Sequence, residues 1–133
     1  MTGKTEPDVS VSWKAWIARA EEDYLLALSA INRKLPLTYG ATFHAQQCIE
    51  KYLKALLISR QVDFPRTHDL AALGVLCKQA EIILPIDDDA LELLTAYAVE
   101  TRYPGTQPTV EESKEAVKLA RIVRKFIKRN LSL

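Results

Sequence analysis

Three short clusters in this chain carry side chains that can hold a phosphate, move a proton or stack on a ring. The first lies in "TFHAQQCIEKYLKALLISR" (residues 42–60), where His44, Gln47, Lys51 and Lys54 fall in one row at helical spacing. The second is "THDL" (67–70), which places His68 at the head of a helix. The third is "ETRYPG" (100–105), where Arg102 and Tyr103 stand just before a helix-ending Pro-Gly. An Arg beside a Tyr at such a point can clamp phosphate and stack on a base, because the guanidinium offers a planar fork of donors and the ring a flat face. Each cluster also has a plain structural reading. The row is then the wet side of a core helix, Arg102 pairs with Glu100 or another carboxylate, and Tyr103 covers the end of the core.

Other chemistries find little support. Two His and two Cys, with no HExxH and no paired CxxC, make a poor metal set, so no metal and no cofactor are expected. Asp87, Asp88 and Asp89 precede an apolar helix and read as a capped start rather than a hard-cation site. There is no GxSxG elbow and no Gly-rich phosphate cradle. Cys48 and Cys77 sit among apolar residues and read as small buried hydrophobes in a reducing compartment.

The elements that must position these clusters read as helices throughout. Trp13, Ile17, Ala20, Tyr24, Ala27 and Ile31 step by three and four, which gives a first helix over about 13–33 with Ser12 as its N-cap. "KLPLTYG" ends it through Pro36, with Gly40 free to turn. In the second helix Ala45, Ile49, Tyr52, Leu53, Leu56 and Leu57 form an arc so wide that the helix must be central and packed on two sides. Thr67 is expected to cap a third helix, and Asp87 or Asp89 a fourth that Pro104-Gly105 closes. Thr109 and Glu112 have the spacing of a capping box for a fifth. The fold class is all-α: an up-and-down antiparallel bundle of four long helices plus one shorter helix.

The bulk numbers agree. With 133 residues and 48% hydrophobic content, the chain can bury one core without disulfides. Residues 1–11 read as a flexible N-terminus and 12–133 as a single domain. No apolar run reaches the length of a membrane span, and "MTGKTEPDVS" lacks the apolar centre of a signal peptide, so a cytoplasmic protein is expected. The net charge of +1 excludes a wholly basic, nucleic-acid-coating molecule. The distribution is uneven, however. Between Lys114 and Arg129 there are seven Lys or Arg and one Glu. That basic last helix is either a solvated face with cations well placed near a helix C-terminus, or a surface for phosphate or an acidic partner.

"WIARAEEDYLLAL", "FHAQQCIEKYLKALL", "RTHDL" and "ETRYP", in this order, resemble the HEPN family (higher eukaryotes and prokaryotes nucleotide-binding domain) over about residues 13–130. The resemblance implies a helical bundle that pairs as a homodimer. It also implies a prokaryotic protein encoded beside a nucleotidyltransferase-fold partner in a toxin–antitoxin pair, with nucleotide binding or metal-independent ribonuclease activity. The ribonucleases carry an Arg, four to six residues, then a His. Here Arg102 is followed by Tyr103, Pro104, Gly105, Thr106 and Gln107, and no His lies downstream. The pair Arg60 and His68 is one residue too far apart and on the wrong helix. Three readings follow. The first is a dimeric module binding nucleotide or nucleic-acid phosphate, with Arg102, Tyr103, His44, Gln47, Lys51, Lys54 and His68 at the cleft. The second is a divergent ribonuclease, and the third a pure interaction protein.

Overall fold

The computed structural model describes residues 12–97 and 104–133 in full, and residues 5–6 and 98–100 by backbone. The described helices are α1 (Trp13–Ile31), α2 (Thr38–Ser59), α3 (Leu70–Gln79), α4 (Asp88–Glu100) and α5 (Val110–Asn130). Two short strands, β1 (Thr5–Glu6) and β2 (Phe64–Pro65), pair antiparallel and tie residues 5–6 to the α2–α3 connection. The bundle is all-α apart from this ladder, and α3 is its shortest helix.

α2 is the central element. Leu53, Leu56 and Leu57 are buried on it along with Ile49 and Tyr52, and burial of each such side chain stabilises by about 1.5–3 kcal/mol. It packs on α1 along one side and on α5 along another, as its wide apolar arc requires. α1 and α2 run antiparallel: Ala30 lies near Gly40 at one end of the pair, and Glu21 bonds Tyr52 further along. α5 meets α2 at Ser113–Thr42 and reaches α1 at Arg124–Glu21, so it runs alongside α2 in the same direction. α3 and α4 form an antiparallel pair. Gly74 lets them approach, since a Cβ there would stand 2.5 Å from Leu91 Cδ1.

Several expected boundaries shift. Gly40 does not turn the chain; it lies in the first turn of α2, which begins directly after Pro36-Leu37. Ser12 occupies the N-cap of α1 without a side-chain capping bond. Asp69, rather than Thr67, caps α3: its Oδ1 accepts from Ala72 N at 3.2 Å. The Thr67 hydroxyl accepts from Asp69 N at 3.0 Å instead, which holds Asp69 extended for its capping role. Asp87 accepts from Ala90 N at 2.8 Å ahead of α4, and the Thr109–Glu112 capping box forms with both bonds present.

Three helices end alike. Gln61, Glu81 and Ser132 adopt positive φ, and Val62, Ile82 and Leu133 each donate a backbone bond to the carbonyl five residues back. These are 6→1 Schellman closures built without glycine.

Candidate functional site

The functional geometry is organised by carboxylates that face inward from α1 and α2. Asp23 lies in the apolar stripe of α1, between Ala20 and Ala27, and is 7% exposed. A carboxylate buried this far must be paired. His44 Nδ1 donates to its Oδ1 at 2.8 Å, and Lys51 Nζ donates to its Oδ2 at 2.5 Å. His44 and Lys51 are seven residues apart, two turns along the same face of α2, so one carboxylate can hold both. With Nδ1 committed to Asp23, the Nε2 atom of His44 is the one left to accept or pass a proton.

Beside this pair the surface is concave. A groove of about 400 Å³ is lined by Ala18, Arg19, Glu22, Asp23 and Lys51. It shares Arg19 and Lys51 with a depression of about 190 Å³ that Ala15 and Trp16 complete. Arg19 is exposed and forms no ion pair among the described residues. Trp16 Nε1 is buried there with no hydrogen-bond partner among the described residues. On the other side of His44 stand two exposed rings: Phe43 meets the imidazole edge-on at 5.2 Å, and Tyr39 stacks on Phe43 at 6.0 Å.

The expected row on α2 divides. His44, Gln47 and Lys51 are partly exposed, but Lys54 is buried at 5% and is not surface. Its ammonium donates to Glu50 at 3.1 Å and lies 5.3 Å from the Trp16 ring centre and 5.7 Å from that of Phe64. The sequence misleads here because a long aliphatic stem ending in a cation can be buried wherever a carboxylate and aromatic faces receive it. Glu50, 2% exposed, also accepts from His68 Nδ1 at 3.0 Å, while the His68 side chain is 79% exposed. His68 and Lys54 therefore belong to a second cluster, joined through Glu50 and separate from the Asp23 group. Arg102 and Tyr103 lie outside the described residues.

A third carboxylate, Glu21, receives a bidentate pair from Arg124 at 2.9 and 3.0 Å, the hydroxyl of Tyr52, and Lys128 at 3.6 Å. Burial pushes the Glu21 carboxyl up, but the bonds from Arg124 and Tyr52 and the nearby cations outweigh it and hold it below its ordinary value. The same contact, with burial acting first, raises the Tyr52 phenol, so Tyr52 stays a neutral donor. This cluster ties α1 to α5 and reads as structural.

Asp23, Glu21, Glu50 and Arg19 were not singled out from sequence as site residues. The available signal was a carboxylate inside an apolar stripe: Asp23 at three and four residues from Ala20 and Ala27, and Glu50 at three from Leu53. Among the described residues no group of three or more His, Cys, Asp and Glu side chains could hold a metal ion. No described helix is long and apolar enough to cross a membrane.

Comparison with known proteins places this chain in a family. The HEPN domain model matches residues 13–130. The chain is similar to the crystal structure of TT1696 from Thermus thermophilus, with 25% identity and a TM-score of 0.68, over 88% of this chain and 96% of that one. It is also similar in fold to ST0689, an archaeal HEPN homologue, at 22% identity and a TM-score of 0.65, over 90% and 98% of the two chains. No curated protein matches the sequence.

Proposed function

This chain belongs to the HEPN family, and from that premise we propose that it is a dimeric module that binds a nucleotide or the phosphate of a nucleic acid. The observation that carries the reading is the groove beside α1, where Arg19, which has no ion pair among the described residues, and the Asp23-anchored Lys51 share one concave surface. A fixed ammonium and an exposed guanidinium present the donors a phosphate needs. Glu22, on the same rim, accepts from ribose hydroxyls or an exocyclic amine.

Pairing is supported by where exposed apolar side chains gather. Among the described residues, six of the ten exposed large hydrophobics lie in the short span Leu25 to Phe43. A cluster of this kind marks a contact surface. A nucleotidyltransferase-fold partner, in a prokaryotic toxin–antitoxin-like pair in the cytoplasm, completes the proposal. Co-purification with the product of a neighbouring gene tests that part.

A thermal-shift screen against mono-, di- and trinucleotides and a short RNA tests the binding site. A ligand at ~100 times its dissociation constant adds about 2.7 kcal/mol and raises the melting point by several degrees. The shift should be nucleotide-selective and lost in Arg19→Ala, whose side chain holds no described part of the fold together. No shift with any nucleotide, in folded protein, assigns the molecule to protein interaction instead.

A second reading has its own observation. Asp23 orients His44 through Nδ1 and leaves Nε2 available, an arrangement suited to general-base chemistry on RNA without the Arg-x4–6-His motif. RNA cleavage in EDTA that is lost in His44→Ala and kept in His68→Ala supports a divergent ribonuclease. Cleavage that survives both substitutions excludes a histidine mechanism.

A further inference from the structure

The basic last helix separates into two sets of cations. Arg124 and Lys128 turn toward Glu21 and are consumed in holding α5 on α1. Lys114, Lys118, Arg121, Lys125 and Arg129 are exposed, and none makes an ion pair among the described residues. At ~100° per residue these five fall within about 80° of arc, and at 1.5 Å per residue they extend about 22 Å along the helix. The opposite face carries Ala116, Ala120, Val123 and Ile127 into the core, so the helix cannot rotate to pair them elsewhere.

Apart from Arg129, whose charge suits the C-terminal end of the helix dipole, this fixed row of like charges, without ion pairs among the described residues, raises self-repulsion, so its charge is available to a partner. We propose that this face of α5 is a docking surface for the phosphate backbone of a nucleic-acid duplex. Charge sign selects a polyanion. The straightness of the row and the length of the five-cation stripe select an extended, regularly charged one rather than a single anion. No aromatic side chain stands in the stripe, and binding of single strands relies on stacking platforms as well as charge, which favours a duplex read by its backbone. Glu115 borders the stripe and shares a shallow depression with Lys118, Asp87 and Asp89, so the strongest field lies toward Arg121, Lys125 and Arg129. The surface is independent of the nucleotide groove on α1, since neither Arg19 nor Lys51 takes part.

The test is fluorescence anisotropy with a labelled 20-base-pair RNA duplex, titrated with the full chain across a salt series. Neutralising five phosphates predicts a loss of affinity of several hundredfold between 50 and 200 mM salt. Arg121→Gln/Lys125→Gln should weaken binding about tenfold or more and reduce the salt slope by about two. Lys34→Gln/Arg60→Gln, which removes the same charge from exposed positions elsewhere, should bind like the parent. Circular dichroism and melting temperature check that both variants are folded, and the nucleotide thermal shift should be the same in all three proteins. Equal binding of a DNA duplex supports a surface that reads backbone alone. Tighter binding of the single strand overturns the duplex assignment. Tighter binding of an acidic polypeptide replaces nucleic acid by an acidic protein partner. Unchanged affinity in Arg121→Gln/Lys125→Gln overturns the surface itself.

Discussion

At the scale of single residues, buried carboxylates decide what the cations are for. Asp23 turns His44 and Lys51 into one fixed group, Glu50 draws Lys54 into the core, and Glu21 holds Arg124. The last pair sets a pH dependence. Because the folded state holds the Glu21 carboxyl below its ordinary value of 4.5, its contribution is present above that pH and fades as pH falls through the folded value. Glu21→Gln should therefore destabilise the domain by about 2 kcal/mol near neutrality. The gap between variant and parent should narrow below pH 4.5. Chemical denaturation of both proteins across pH 3–7 reads this directly, and a gap that stays constant over that range means Glu21 gains nothing from its charge.

At the scale of elements, helix ends show where local chemistry is obeyed and where packing overrides it. The Thr109–Glu112 box and the Asp87 cap follow sequence rules. The C-termini of α2, α3 and α5 do not, since Gln61, Glu81 and Ser132 take the left-handed conformation that glycine adopts freely. Glu81 is exposed and makes no side-chain bond among the described residues, so Glu81→Gly relieves backbone strain at little other cost. The expected gain is about 1 kcal/mol, a rise of several degrees in melting temperature. A lower melting temperature would show that unfolded-chain entropy outweighs the strain.

At the scale of the whole molecule, the apolar surface between Leu25 and Phe43 and the cationic stripe of α5 give the domain two distinct exterior faces. The first predicts a homodimer of about twice the 15.0 kDa chain mass in light scattering. Leu25→Glu together with Phe43→Ser should shift the protein to monomer while leaving its helical content unchanged, because both side chains are already exposed. A dimer that survives the double substitution places the interface elsewhere.

The helices, their number, the central place of α2 and the capping of α5 were all legible in the linear chain. They follow from periodicity and from contacts three or four residues apart, which a linear reading contains. It also contained the HEPN resemblance, which the match over residues 13–130 supports. Which polar residues meet was settled by tertiary packing alone. Asp23 and His44 are 21 positions apart, Glu50 and His68 are 18, and Glu21 and Arg124 are 103, so no spacing rule connects them. Glu50 and Lys54 are four apart on one helix, a pairing that spacing does contain, but their burial depends on Trp16 and Phe64 arriving from other elements, and Arg121 is left without an ion pair among the described residues by the same helix placement.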